Sequence, residues 1–118
     1  MQNLSSKGAF STENIFLSLD YDETTLTKVL REIYRLKNKF NIPLEVYQSS
    51  ANSYHIRSKY PLTREKAFQI LEYSNCSIDY KNLCKKQRCF PIRTGEKRIY
   101  VDGKLTETKQ PPRKIFIA

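Results

Sequence analysis

A chain of 118 residues, 39% hydrophobic and 28% charged, suffices for one modest core and argues against two. No apolar run approaches the roughly 20 residues of a membrane helix, and the opening residues lack the charged and apolar blocks of a secretory signal. A cytoplasmic protein without membrane partners is expected.

The charge is basic and uneven. There are 21 Lys and Arg against 12 Asp and Glu, a net of +9. Residues 1–80 hold 10 basic and 9 acidic side chains, a net of +1, whereas residues 81–118 hold 11 and 3, a net of +8. A cationic surface concentrated in one third of the chain suits a polyanion, because each phosphate contact releases condensed counterions.

Residues 1–12 are polar and read as a flexible tail, ahead of a single domain over 13–118. Between 15 and 21 the residues alternate. Ile15, Leu17, Leu19 and Tyr21 share one face, and Phe16, Ser18, Asp20 and Asp22 the other, which predicts a strand. Leu26, Val29, Leu30, Ile33, Leu36 and Phe40 recur every three or four residues and predict a helix, capped by Asp22 or Thr24 and ended before Pro43. Residues 44–48 and 53–57 read as two strands of a hairpin. A second helix opens at Thr63 and runs to about Tyr73, with Ala67, Ile70 and Leu71 inward.

Beyond it, 77–80 and 88–93 read as short strands. Residues 98–101 and 104–106 flank Asp102-Gly103, the dipeptide of a tight hairpin. Pro111-Pro112 breaks structure, and 115–117 forms a last edge strand. The order is βαββαβ with a terminal hairpin. It predicts an α+β fold, a ferredoxin-like or RRM-like antiparallel sheet with two helices on one face.

Cys76, Cys84 and Cys89 are spaced C-x7-C and C-x4-C, without the C-x2-C knuckles of structural zinc. No structural zinc is expected, although His55, the only histidine, could complete a Cys3His set. Buried free thiols are expected instead. A Cys76–Cys89 or Cys76–Cys84 disulfide would fit only a thermophilic archaeal or viral source.

Three constellations could carry chemistry. Asp20 and Asp22 lie two residues apart on one strand face, their Cα atoms roughly 6.5–7 Å apart. Such a pair can share divalent cations that clamp the oxygens of a phosphoryl transfer. Equally, Asp22 can cap a helix while Asp20 stands on an edge. His55 and Arg57 share a polar strand face and could hold nucleotide phosphates, against a purely structural histidine. Asp79 could complete the carboxylate set. Lys81, Lys85, Lys86, Arg88, Arg93, Lys97 and Arg98 after it would receive triphosphate or template, or form a solvated loop.

These motifs, in this order, resemble the archaeo-eukaryotic primase superfamily, which includes primase–polymerases of archaeal plasmids and viruses. Its hhhDhD motif is similar to Phe16-Leu17-Ser18-Leu19-Asp20-Tyr21-Asp22, its S-x-H strand to Ser53-Tyr54-His55, and its hD element to Ile78-Asp79. The basic segment that follows resembles Arg88 to Arg93 with Lys97. The resemblance implies metal-dependent nucleotidyl transfer in DNA replication with Mg²⁺ or Mn²⁺. Asp20, Asp22 and Asp79 would be catalytic metal ligands. His55, Arg57, Arg93 and Lys97 would bind nucleoside triphosphate, and Lys85, Lys86, Arg88 and Arg98 nucleic acid.

The chain departs from that family. It is short for the family's catalytic module, Ala51, Asn52 and Ser53 replace the usual glycines, and a zinc stem is absent from the pattern. A minimal or degenerate relative acting beside a replication protein is therefore also expected. Two further readings stand beside it. One is a non-catalytic RRM-like module stacking bases on Phe16, Tyr47, Tyr54, Phe90 or Tyr100. The other is a small viral or plasmid protein that docks to a host protein. A rolling-circle nuclease would need a second histidine.

Overall fold

A computed structural model describes residues 14–92, 97–109 and 111–117. Its elements are β1 (Asn14–Ile15), β2 (Ser18–Tyr21), α1 (Leu26–Phe40), β3 (Leu44–Ser50), β4 (Ser53–Ser58), β5 (Leu62–Thr63) and α2 (Arg64–Tyr73). They continue with α3 (Ile78–Gln87), β6 (Lys97–Val101), β7 (Lys104–Lys109) and β8 (Arg113–Ile117). The described residues form a mixed α+β structure with three helices and antiparallel sheets.

Each helix begins where a short hydroxyl side chain can satisfy an orphan amide. Thr25, rather than Asp22 or Thr24, caps α1 by accepting from the Lys28 N–H at 3.3 Å. The Thr24 N–H instead donates to the Asn52 carbonyl at 3.0 Å and ties the helix entry to the β3–β4 turn. α1 ends at Asn41 in the left-handed region (φ 52°), ahead of Pro43 as expected. Thr63 caps α2 through the Lys66 N–H, at the position expected.

The expected strand over 77–80 is the first turn of α3. Ser77 accepts from the Tyr80 N–H at 3.2 Å, and Asp79 sits in the first turn where the helix dipole favours a carboxylate. Four alternating residues cannot outweigh a capped, ten-residue helix. Residues 88–92, expected as a strand in part, run irregularly after α3. Arg93 lies outside the described residues.

β2, β4, β3 and β8 form a four-stranded antiparallel sheet in that order, so β4 lies between the two strands that α1 connects. The last strand joins the β3 edge. In the expected βαββαβ order a strand from 77–80 or 88–93 would lie beside β2, but 78–87 is helical and no strand pairs with that edge among the described residues. That edge is occupied: Tyr80 of α3 donates its hydroxyl to the Ser18 carbonyl at 2.5 Å. The Cys76 sulfur also meets the Asp20 backbone N–H. An edge capped by side chains offers no ladder to a further strand.

The core lies between this sheet and the helices. Leu19, Ile56 and Val46 are cross-strand partners in one row. They are buried with Val29, Ile33 and Leu36 of α1 and with Ala67, Ile70 and Leu71 of α2. The expected α1 and α2 stripes are thus the ones that pack, except that Leu26 at the start of α1 is exposed. β1 and β5 pair as a small clasp. β6 and β7 form a separate hairpin turning at Asp102 (φ 54°) and Gly103 (φ 77°), the two positive φ values of a type I′ turn.

Candidate nucleotide and nucleic-acid site

Strand period and register decide which side chains meet. Across the sheet face turned away from α1, Asp20, His55, Tyr47 and Lys114 fall in one row, and Ser18, Arg57, Glu45 and Ile117 in the next. His55 and Arg57 thus share a face, while Tyr54 and Ile56 are buried on the other.

The first row opens on the motif residues. His55 Nδ1 lies 3.4 Å from Asp20 Oδ1. Asp20, Asp22 and His55 line a cleft of about 750 Å³ with Ser49, Ser50 and Ser53, and Tyr80 stands on its far wall. A second cleft, of about 630 Å³, lies on the other side of Asp20 and Asp22 and is bordered by Lys28, Arg31 and Arg35 of α1. Tyr80 lines both.

The second row is tied to the Tyr47–Lys114 end of the first. Arg57 stacks its guanidinium 4.2 Å over the Tyr47 ring, and the Tyr47 hydroxyl donates to Glu45 Oε1 at 3.1 Å. Lys114 approaches Glu45 Oε2 to 3.0 Å, and that hydrogen bond holds its ammonium above the usual lysine value. Arg57 is therefore next to the cleft wall but engaged along the sheet.

Asp79 is not brought to the cleft. It is exposed on α3 and lines neither cavity; the helix directs its neighbour Tyr80 inward instead. Among the described residues no group of three His, Cys, Asp or Glu side chains is placed to hold a metal ion. Asp79 is thus not gathered with Asp20 and Asp22, and Cys76, Cys84, Cys89 and His55 do not converge as a set among the described residues.

Among the described residues the cations are dispersed rather than gathered on this cleft. Lys85 is 2.6 Å from Glu72, whose carboxyl it holds below its ordinary value. Lys86, Arg88 and Arg98 are exposed on the end of α3 and on the hairpin. The Lys97 side chain lies outside the described ones. The aromatics do not form a stacking platform either. Tyr54 and Phe90 are buried, the latter stacked on Phe68 at 5.0 Å, and Tyr47 is covered by Arg57. Phe16 and Tyr100 are exposed, the one before β2 and the other on the separate hairpin.

Sequence reasoning missed Glu32. It is 5% exposed beneath the second cleft and accepts from Tyr21 Oη, from Arg35 and from the Asn75 backbone and side chain. The signal was present: Glu32 falls on the Val29–Ile33–Leu36 stripe, where a carboxylate needs partners to be buried.

Around the capped edge, protons are held tightly. Burial pushes the thiols of Cys76 and Cys84 and the hydroxyls of Tyr21 and Tyr80 up from their ordinary values of 9.0 and 10.0. A raised native pKa contributes stability that is complete below the unfolded value and is lost as pH rises past it. The urea midpoint is expected to hold to about pH 9 and then fall through pH 11, as the unfolded chain alone ionises. A midpoint flat over that range would show that these four groups are solvated in the native state.

Comparison with protein-family models, with curated proteins and with solved structures returns no match to this chain.

Proposed function

We propose that this chain is a nucleic-acid-associated domain that grips the sugar–phosphate backbone through its C-terminal third. The carrying observation is the display of that third's charge. Lys86 and Arg88 at the end of α3, Arg98 and Lys104 on the hairpin, and Arg113 at the start of β8 are all exposed. With Tyr54 and Phe90 buried, base stacking contributes little, so binding is governed by phosphate contacts and tolerates sequence.

The test is fluorescence anisotropy on an unrelated-sequence duplex between 50 and 200 mM salt. Four phosphate contacts predict an affinity loss of roughly 100-fold over that range. Replacing Lys86, Lys104 and Arg113 together by Glu is expected to cost at least tenfold at low salt and to flatten the slope. Binding indifferent to salt and to these replacements would sink the proposal and leave docking to a host protein.

A second reading is favoured by the pairing of Asp20 with His55 and by Asp22 in the same cleft: a primase-like nucleotide site. The placement of β4 between β2 and β3 supports it, being the split βαβ half of a ferredoxin-like domain. The missing third carboxylate weighs against nucleotidyl transfer. The reading extends to a degenerate primase relative of an archaeal plasmid or virus, working in the cytoplasm beside a replication protein. A nucleoside triphosphate with Mn²⁺ should then raise the thermal midpoint, and Asp20→Asn with Asp22→Asn should abolish the rise. If the triphosphate leaves the wild-type midpoint unmoved, the nucleotide site is ruled out.

A further inference from the structure

We propose that Cys84 and Cys89 are a redox-responsive thiol pair, oxidised to an intramolecular disulfide that staples the end of α3 to the segment bordering the Asp20–His55 cleft. The geometry is that of the helix terminus. Arg88 adopts the left-handed conformation (φ 60°), and the Cys89 N–H donates to the Cys84 carbonyl at 3.3 Å. The Arg88 N–H donates to the same carbonyl, so this six-residue closure brings the backbones of residues 84 and 89 close together.

Standard bond lengths on either side of that hydrogen bond limit the Cα separation to about 7 Å. Disulfides span roughly 4.4–6.8 Å between Cα atoms, so a slight closure of an exposed helix end suffices. The thiols also differ usefully in access. Cys89 is exposed, whereas Cys84 is fully buried against Tyr80, and both are free. Cys76, the other buried thiol, is instead hydrogen-bonded to Ser74, Tyr21 and the Asp20 backbone.

The reaction needs an oxidant of the low-molecular-weight disulfide class. The Cys89 thiolate attacks one sulfur of R–S–S–R and expels RS⁻, leaving a mixed disulfide. The Cys84 thiolate then attacks the Cys89 sulfur and expels the second RS⁻. Two protons and two electrons leave the protein, and the small disulfide becomes two thiols. Burial raises the Cys84 pKa, so this second step is the slow one and quickens with rising pH.

The consequence reaches the cleft through two neighbours. Phe90, Pro91 and Ile92 follow Cys89 directly, and the last two border the cleft. Tyr80, in contact with Cys84, stands on its wall.

The experiment incubates the folded full chain with glutathione disulfide, alkylates the remaining thiols, and maps tryptic peptides by mass spectrometry. Titratable thiols are expected to fall from 3 to 1, with peptide 82–85 linked to peptide 89–93 and Cys76 alkylated. Cys84→Ser should stop at the mixed disulfide on Cys89, and Cys89→Ser should keep both remaining thiols reduced. A link through Cys76, a covalent dimer, or a persistent mixed disulfide in the wild type would overturn the proposal. Because the readout is a peptide map, it stands or falls separately from nucleic-acid binding.

Discussion

Glu32→Ala is expected to lower the unfolding free energy by about 3–5 kcal/mol, a third or more of what a domain this size has. The carboxylate is 5% exposed and accepts the Tyr21 hydroxyl at 2.7 Å and the Asn75 N–H at 2.6 Å. Truncation leaves both donors without that acceptor, at about 1–3 kcal/mol each. Arg35 loses a two-pronged contact but is 34% exposed and rehydrates readily. Arg35→Ala leaves the buried carboxylate its Tyr21 and Asn75 donors but not its counter-charge, and should cost less, about 1–3 kcal/mol. Urea denaturation of the two variants separates the cases. Equal losses would mean that the ion pair, rather than the orphaned donors, sets the cost. Because Tyr21 and Asn75 come from β2 and the α2–α3 connection, Glu32 joins three parts of the chain, and its loss should also loosen the second cleft.

Ile56→Ala is the other large effect, at about 3–5 kcal/mol. Ile56 is fully buried in β4, a central strand, between Leu19 on one side and Val46 on the other. Removing its outer carbons leaves a void bordered by sheet on both sides and by α1 above, where little can collapse to fill it. Ile56→Val should cost about 0.5–1.5 kcal/mol by the same reasoning. The pair, measured by equilibrium unfolding, distinguishes a rigid core row from one that relaxes. If alanine cost no more than valine, the row would be loosely packed. The neighbouring face supplies a contrast: His55→Ala, one residue away on the cleft side, removes no core contact and should leave stability within about 1 kcal/mol.

Periodicity made the core legible. The 3–4 residue spacing of Val29, Ile33 and Leu36 and the two-residue alternation of His55 and Ile56 describe faces, and packing follows faces. The tight turn at Asp102-Gly103 was equally local, since only residues tolerant of positive φ make it. Four residues of apparent alternation at 77–80 misled, because the N-cap hydroxyl of Ser77 and the length of α3 outweigh so short a pattern. The pairing of Asp20 with His55 was legible only in part: period two aims both side chains at one face, but register alone sets them opposite each other.

Residue types and spacing alone determined that this chain is basic and of mixed α+β type, with an apolar α1 stripe, a polar His55–Arg57 face and most of its net charge near the end. Those properties are local or additive, so neighbouring residues determine them. Which edge received β8, where Asp79 pointed, and that Glu32 would be buried with five hydrogen bonds were settled by tertiary structure. Each depends on groups dozens of residues apart, such as Tyr80 on Ser18 or Asn75 on Glu32. Their meeting follows from how the whole core packs, which no short window of sequence contains.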